Sequence, residues 1–274
     1  MPHRLPENLR LPAIESFRGP VDALMALNRW FVRIRWAAVA ALFVIVAVTR
    51  WLIGSQLPLD QLLGLGMVLA MYNLLFYWFL EDLEARAEKE VTYHRAAQFA
   101  NVQVAADLLC MTVLLHFGGG VENPLSAFYV FHVIIASIML GRGQSYLQAL
   151  LALTLFTGLV LFEYRGLIPH YHLPLYITGD QSGNWRFLLG HVSALAIMLF
   201  MAAFFTTSLA ERLREQQAEL TDTSTRLADL EARKSRFMRL AAHQLRAPLS
   251  AIRSLLSITL GEYKGMDEAK RREV

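Results

Sequence analysis

Cysteine is nearly absent. The 274-residue chain holds one, so no intramolecular disulfide can form and the fold does not depend on an oxidising compartment. Charge is scarce as well: Asp, Glu, Lys and Arg make up 18% of the residues, against about 25% in soluble domains, which argues against a purely soluble enzyme. The net charge of +3 is too small to imply nucleic acid as a partner. Residues 1–28 are polar and broken by proline, without the apolar core of a cleavable signal peptide. Internal repeats and paired glycine-interrupted spans are also missing, which argues against a transporter or channel. Apolar residues are abundant, at 55% with a mean hydropathy of +0.37, and exclude a disordered or collagen-like chain. The length allows one large domain or two modest ones at about 100–200 residues each. This composition is that of a membrane protein.

A transmembrane helix needs about 20 mostly apolar residues. Six stretches qualify, near Trp36–Ile53, Leu62–Leu80, Phe99–Phe117, Leu125–Gly141, Tyr146–Glu163 and Phe187–Ser208. The expected fold is therefore all-α, with a six-helix transmembrane bundle over residues 36–208 behind a cytoplasmic N-terminal segment, 1–35. Arg4, Arg10, Arg18, Arg29, Arg33, Arg35, Arg86, Lys89, Arg95 and Arg142 fall on one side. Arg50, Arg165 and Arg186 fall on the other, so both termini are expected in the cytoplasm. Trp30, Trp36, Trp51, Trp78 and Trp185 lie near the expected interfaces.

After Ser208 the composition turns to Glu, Arg, Gln and Leu without Pro or Gly as far as Arg239, which predicts a continuous helix. Leu213, Leu220 and Leu227 recur every seven residues, with Leu230 and Phe237 at the alternating core position. The pattern predicts a short parallel coiled coil between two copies, residues 209–232, or else one amphipathic helix lying on another surface. The run Lys234-Ser-Arg-Phe-Met-Arg-Leu-Ala-Ala-His243-Gln244-Leu-Arg246-Ala-Pro248-Leu continues the helical period. Pro248 should kink this helix and leave the imidazole accessible, and a neutral imidazole is a competent nucleophile near pH 7.

This run resembles the phosphoacceptor box of bacterial sensor histidine kinases, the sensor half of two-component systems. The resemblance implies that His243 is phosphorylated from ATP, with Gln244, Arg246 and Pro248 completing the box, and that phosphate passes to an aspartate of a response regulator. It implies a homodimer in the bacterial inner (cytoplasmic) membrane. Residues 233–274 would be part of a dimerisation and phosphotransfer hairpin whose first helix ends at Gly261 and Gly265, with the second starting at Asp267. Gln244 stands where the family commonly has an acidic base, and Ala247 where it has Thr or Asn, which argues against phosphatase activity of the usual kind. No Gly-rich nucleotide loop or ATP motif is present, so ATP is expected to bind a lobe outside this sequence.

Between the third and fourth spans the chain reads Phe117-Gly-Gly-Gly-Val-Glu-Asn-Pro-Leu125. Read by itself this is a tight turn in which Asn123 caps the next helix and Pro124 enters its first turn. Gly119, Gly120, Asn123 and Pro124 also resemble the Gly-Gly-x-x-Asn-Pro-Phe motif of RegB/PrrB redox-sensor kinases, which implies quinone binding; Leu125 replaces the aromatic residue. Asp107 and His132 fall at similar depths in neighbouring spans, so an Asp–His pair is expected, either as a structural hydrogen bond or as a proton-exchanging contact to a quinone. Glu163 and Arg50 are expected to snorkel to the outer interface. His116, His170, His172 and His191 gather toward the outer side and, with His132, are candidate ligands for a metal or haem, although their spacing fits no standard motif. A non-catalytic membrane scaffold, with His243 incidental, remains the competing class.

Overall fold

The computed structural model describes residues 20–53, 58–86, 93–172 and 179–272. Among the described residues six α-helices follow one another: α1 (Pro20–Ile53), α2 (Leu59–Arg86), α3 (Tyr93–Phe117), α4 (Phe128–Met139), α5 (Arg142–Tyr164) and α6 (Trp185–Arg272). No strand occurs among the described residues. The fold is all-helical, as composition and period require, and the protein is a multi-pass membrane protein.

Five of these helices are long and apolar enough to cross a bilayer. The fourth span is shorter, and two 3-10 turns, Gly120–Glu122 and Pro124–Ala127, lead into it. Alone, α4 is 12 residues, about 18 Å at 1.5 Å per residue, so the preceding turns carry the chain over the remaining depth. At the other extreme, α1 has 34 residues and begins at Pro20, well before the expected start at Trp36. At about 51 Å it exceeds the roughly 30 Å hydrocarbon core, and residues 20–35 are helix packed on its neighbours rather than a separate segment.

Helix α3 touches α1, α2, α4 and α5 and is the hub of the bundle. Ala96, Ala100, Ala136, Ala149 and Ala152 are fully buried, and such small residues let backbones approach closely. Tyr129, Phe156 and Leu108 fill the space between them. Trp51, Met67, Phe131 and Ile197 face outward, as a lipid-solvated surface requires.

The chain divides into two units, residues 1–211 and 212–274. The described residues of the second all belong to α6. Its Leu213, Leu220, Leu227, Leu230 and Phe237 are exposed by half or more. Two expectations are corrected here. The helix does not end at Gly261 or Gly265, nor does a second helix start at Asp267; α6 continues to Arg272. A glycine inside a helix costs only about 1 kcal/mol, too little to stop one without a turn-forming neighbour. Pro248 also lies within α6. It removes the N–H that would otherwise bond the Gln244 carbonyl, next to His243.

Candidate functional site

The site begins with the loop between α3 and α4. Gly119 and Gly120 have φ of 116° and 55°, left-handed values that glycine adopts without strain. Asn123 closes the loop with both ends of its amide: Nδ2 donates to the Gly118 carbonyl at 2.8 Å, and Oδ1 accepts from the Leu125 N–H at 2.9 Å. Pro124 follows at the first position of the 3-10 turn, where its missing N–H costs nothing. The cap and proline therefore stand where sequence placed them, and both ends of the Asn123 amide serve the loop itself.

Gly120 has a second role. A Cβ at this position would collide with the carboxylate of Glu163, at the end of α5. The missing side chain is the space that Glu163 occupies. Glu163 is buried, which corrects the expectation that it reaches the outer interface. Its Oε1 bonds His116 Nδ1 at 3.0 Å and its Oε2 bonds His170 Nδ1 at 2.8 Å. A carboxylate this enclosed is retained only with charged or hydrogen-bonded partners.

A second buried carboxylate lies alongside. Glu122 Oε1 accepts from the Gln181 backbone N–H at 2.8 Å, and Oε2 bonds His172 Nδ1 at 2.8 Å. His170 Nε2 lies 3.6 Å from both Glu122 Oε2 and Asp180 Oδ1. It is a buried ring nitrogen with no hydrogen-bond partner. Burial by itself would lower the His170 pKa, but the hydrogen bond and charge of Glu163, with Glu122 and Asp180, outweigh it and raise it above the ordinary value. Asp180 is held below its ordinary value, first by the Ser182 hydrogen bond. His116 also lines an apolar groove of about 340 Å³ between α3 and α5, with Thr112, Thr154, Gly158, Phe162 and Ile168.

The structure thus brings together His116, His170 and His172, three of the proposed ligating histidines, around Glu122 and Glu163. His191 stands apart: its Nε2 meets Ser126 Oγ at 3.0 Å, and its ring packs near Phe156 and Phe187. The two glutamates were not singled out as ligands. Their signal was present in the sequence, as acidic residues at the ends of apolar runs with histidines across the loop.

The Asp107–His132 pair does not form. His132 is partly exposed, and its Nδ1 lies 3.0 Å from the Phe128 carbonyl of its own helix. Asp107 is buried against Arg35, whose Nε and Nη2 donate to Oδ2 at 3.1 and 2.9 Å, while Tyr72 donates to Oδ1 at 2.6 Å. Arg35 also reaches Asn73 Oδ1 at 2.8 Å and Gln103 Oε1 at 3.3 Å. Gln103 Nε2 then donates to Asn28 Oδ1 at 2.8 Å. The Arg35 guanidinium sits 4.5 Å from the centre of the Phe31 ring. Depth along a span places residues at one level, but the helix face decides which of them meet. A guanidinium with five donors offers Asp107 far more than one imidazole.

His243 is exposed on α6, together with Gln244, Arg246 and Pro248. The side chain is open to a reacting partner.

Comparison with curated proteins and with solved structures gives no significant match. Residues 26–220 match the family described as the PilS-like transmembrane domain, a six-span domain of sensor histidine kinases; the match does not confirm the RegB/PrrB resemblance of the loop. The match spans α1 through the first part of α6 and includes both polar clusters. The chain belongs to the PilS-like family of six-span transmembrane domains, and its bundle is a sensor-kinase membrane domain.

Proposed function

We propose that this chain is the signal-receiving and relay portion of a two-component histidine kinase. A lipid-phase ligand in the bundle, a quinone, sets the phosphorylation of His243, and phosphate then passes to an aspartate of a response regulator. One observation carries the reading: α6 is a single helix, Trp185–Arg272, bearing both the last span and the exposed His243. A displacement of that span has a continuous backbone along which to act. Ligand must then bind one arrangement of the spans better than the other.

The groove between α3 and α5 supports a quinone. It is apolar, its rim includes the exposed Val113 and Phe162, and it has an imidazole in its wall. His116 Nδ1 is committed to Glu163, so the other ring nitrogen is the one a quinone carbonyl would meet. A proton taken or given there is felt by His170 through the shared Glu163 carboxylate. The groove is a different placement from the Asp107–His132 pair and uses neither residue.

The relay works in a homodimer. The exposed leucine seam at Leu213, Leu220, Leu227 and Leu230 supports pairing with a second copy, because such a stripe is costly to leave in water. The orientation that fits the Lys and Arg bias keeps His243 on the cytoplasmic side of a bacterial inner membrane. ATP binds a lobe joined to this chain.

The test is phosphate labelling of the chain joined to its ATP-binding lobe, in liposomes, with His243→Ala as the comparison. Label lost in His243→Ala supports the assignment; label retained removes it. Cysteines at positions 220 and 227 test the dimer, since both are core positions of the seam. Cross-linking at both, with none at the outward Thr225, supports the parallel pair; equal cross-linking at all three contradicts it.

A further inference from the structure

We infer that Glu122, His170 and His172 form a binding site for a divalent transition-metal ion of the Zn²⁺ class. These residues each present a ligand atom, all within 4.8 Å of one another. Two imidazoles and one carboxylate, with a further position for water or Asp180, make a recurrent Zn²⁺ donor set. Tetrahedral ligands with bonds of about 2.0–2.1 Å lie about 3.3 Å apart. The present separations are 2.8 Å for His172 Nδ1 to Glu122 Oε2 and 3.6 Å for His170 Nε2 to the same oxygen. These two separations bracket that value.

His170 Nε2 is buried, makes no hydrogen bond and is directed at two carboxylate oxygens. Its other nitrogen is held by Glu163, which fixes the ring with Nε2 toward the cluster. Metal-bound histidines almost always donate the far ring N–H to a carboxylate, a backbone carbonyl or water. The Gln181 N–H holds Glu122 Oε1 and leaves Oε2 facing the rings. His172 is one-third exposed and provides the way in. On binding, any proton on a ligating nitrogen leaves to solvent, and the ion takes its place against the carboxylate.

This inference stands apart from the phosphorelay: ion uptake and His243 labelling can each fail with the other intact. The experiment is a titration of the purified chain, without a polyhistidine tag, in detergent or nanodiscs. Zn²⁺ is the probe, Co²⁺ the spectroscopic substitute, and Mg²⁺ and Ca²⁺ the hard-cation comparison. The expected result is saturable uptake of about one Zn²⁺ per chain and a tetrahedral Co²⁺ spectrum, with no competition from Mg²⁺ or Ca²⁺. Glu163→Gln, which leaves the ligands in place, should weaken Zn²⁺ about 10–100-fold. His172→Ala should weaken it at least as much, and His172→Cys should restore it. Because His172 is partly exposed, its variants should fold even where Glu122→Gln does not. No saturable uptake by the wild-type chain, or uptake unchanged in both His172→Ala and Glu163→Gln, overturns the site.

Discussion

Two polar clusters occupy this bundle, and they differ in whether their hydrogen bonding is complete. Around Arg35 the accounting closes. One guanidinium faces one carboxylate, Asp107, and its remaining donors reach Asn73 and Gln103. Gln103 and Asn28 continue the chain of bonds to backbone carbonyls, and Asn73 reaches the Val32 carbonyl at 3.1 Å. At the loop between α3 and α4 it does not close. Two buried glutamates face three histidines, and one buried ring nitrogen has no hydrogen-bond partner. A complete network inside a membrane fixes the register of α1, α2 and α3. An incomplete one has something to gain from a ligand. The first cluster is a lock; on the reading proposed above, the second is a receiver.

Breaking the lock should have the largest effect. Arg35→Met leaves Asp107 buried without its charge partner, and should cost about 3–5 kcal/mol. Thermal unfolding in detergent would show it as a large fall in Tm, and the double variant Arg35→Met with Asp107→Leu should recover most of the loss. At the receiver, Gly120→Ala meets both a left-handed φ and the Glu163 carboxylate. The backbone penalty alone is about 1–2 kcal/mol. Loss of Zn²⁺ uptake should accompany the lower Tm, because Glu163 is displaced from His170. Asn123→Ala removes the loop cap and should cost about 1 kcal/mol, again read as Tm, with the ligand residues unchanged. Smallest of all is His132→Ala: the side chain belongs to neither cluster, so Tm should move by no more than about 0.5 kcal/mol in equivalent stability and Zn²⁺ uptake should be unaltered. A large change in either would bring His132 back into the site.

How far each cluster was legible in sequence follows the same division. Local chemistry reads well from sequence: five of the six apolar spans as full-length helices and the fourth as a shorter one, the Asn123–Pro124 cap and the long helix carrying His243 all stand in the structure. Each depends on residues a few positions apart. Arg35 was read as one more positive flank, because the charge bias of loops does not distinguish a surface arginine from one turned inward. The spacing Asn28–Arg35 on α1 and Gln103–Asp107 on α3, each pair near one helix face, was the available signal. Which span faces which is a long-range fact, and equal depth led to His132 instead. The histidine group was gathered correctly at His116, His170 and His172, since topology alone brings the outer ends together. Glu122 and Glu163 were missed because acidic residues at span ends are usually at the interface, and here the loop folds over them.

The most direct test of the receiver's role is the phosphate label on His243 in liposomes containing either oxidised or reduced quinone, for the wild type and for His116→Phe, with the ATP-binding lobe attached. The account predicts unequal label in the two quinone states for the wild type and equal label in His116→Phe, which keeps an aromatic ring at that position but removes its hydrogen-bonding nitrogens. Equal wild-type label in both states, or a difference that survives in His116→Phe, would contradict it.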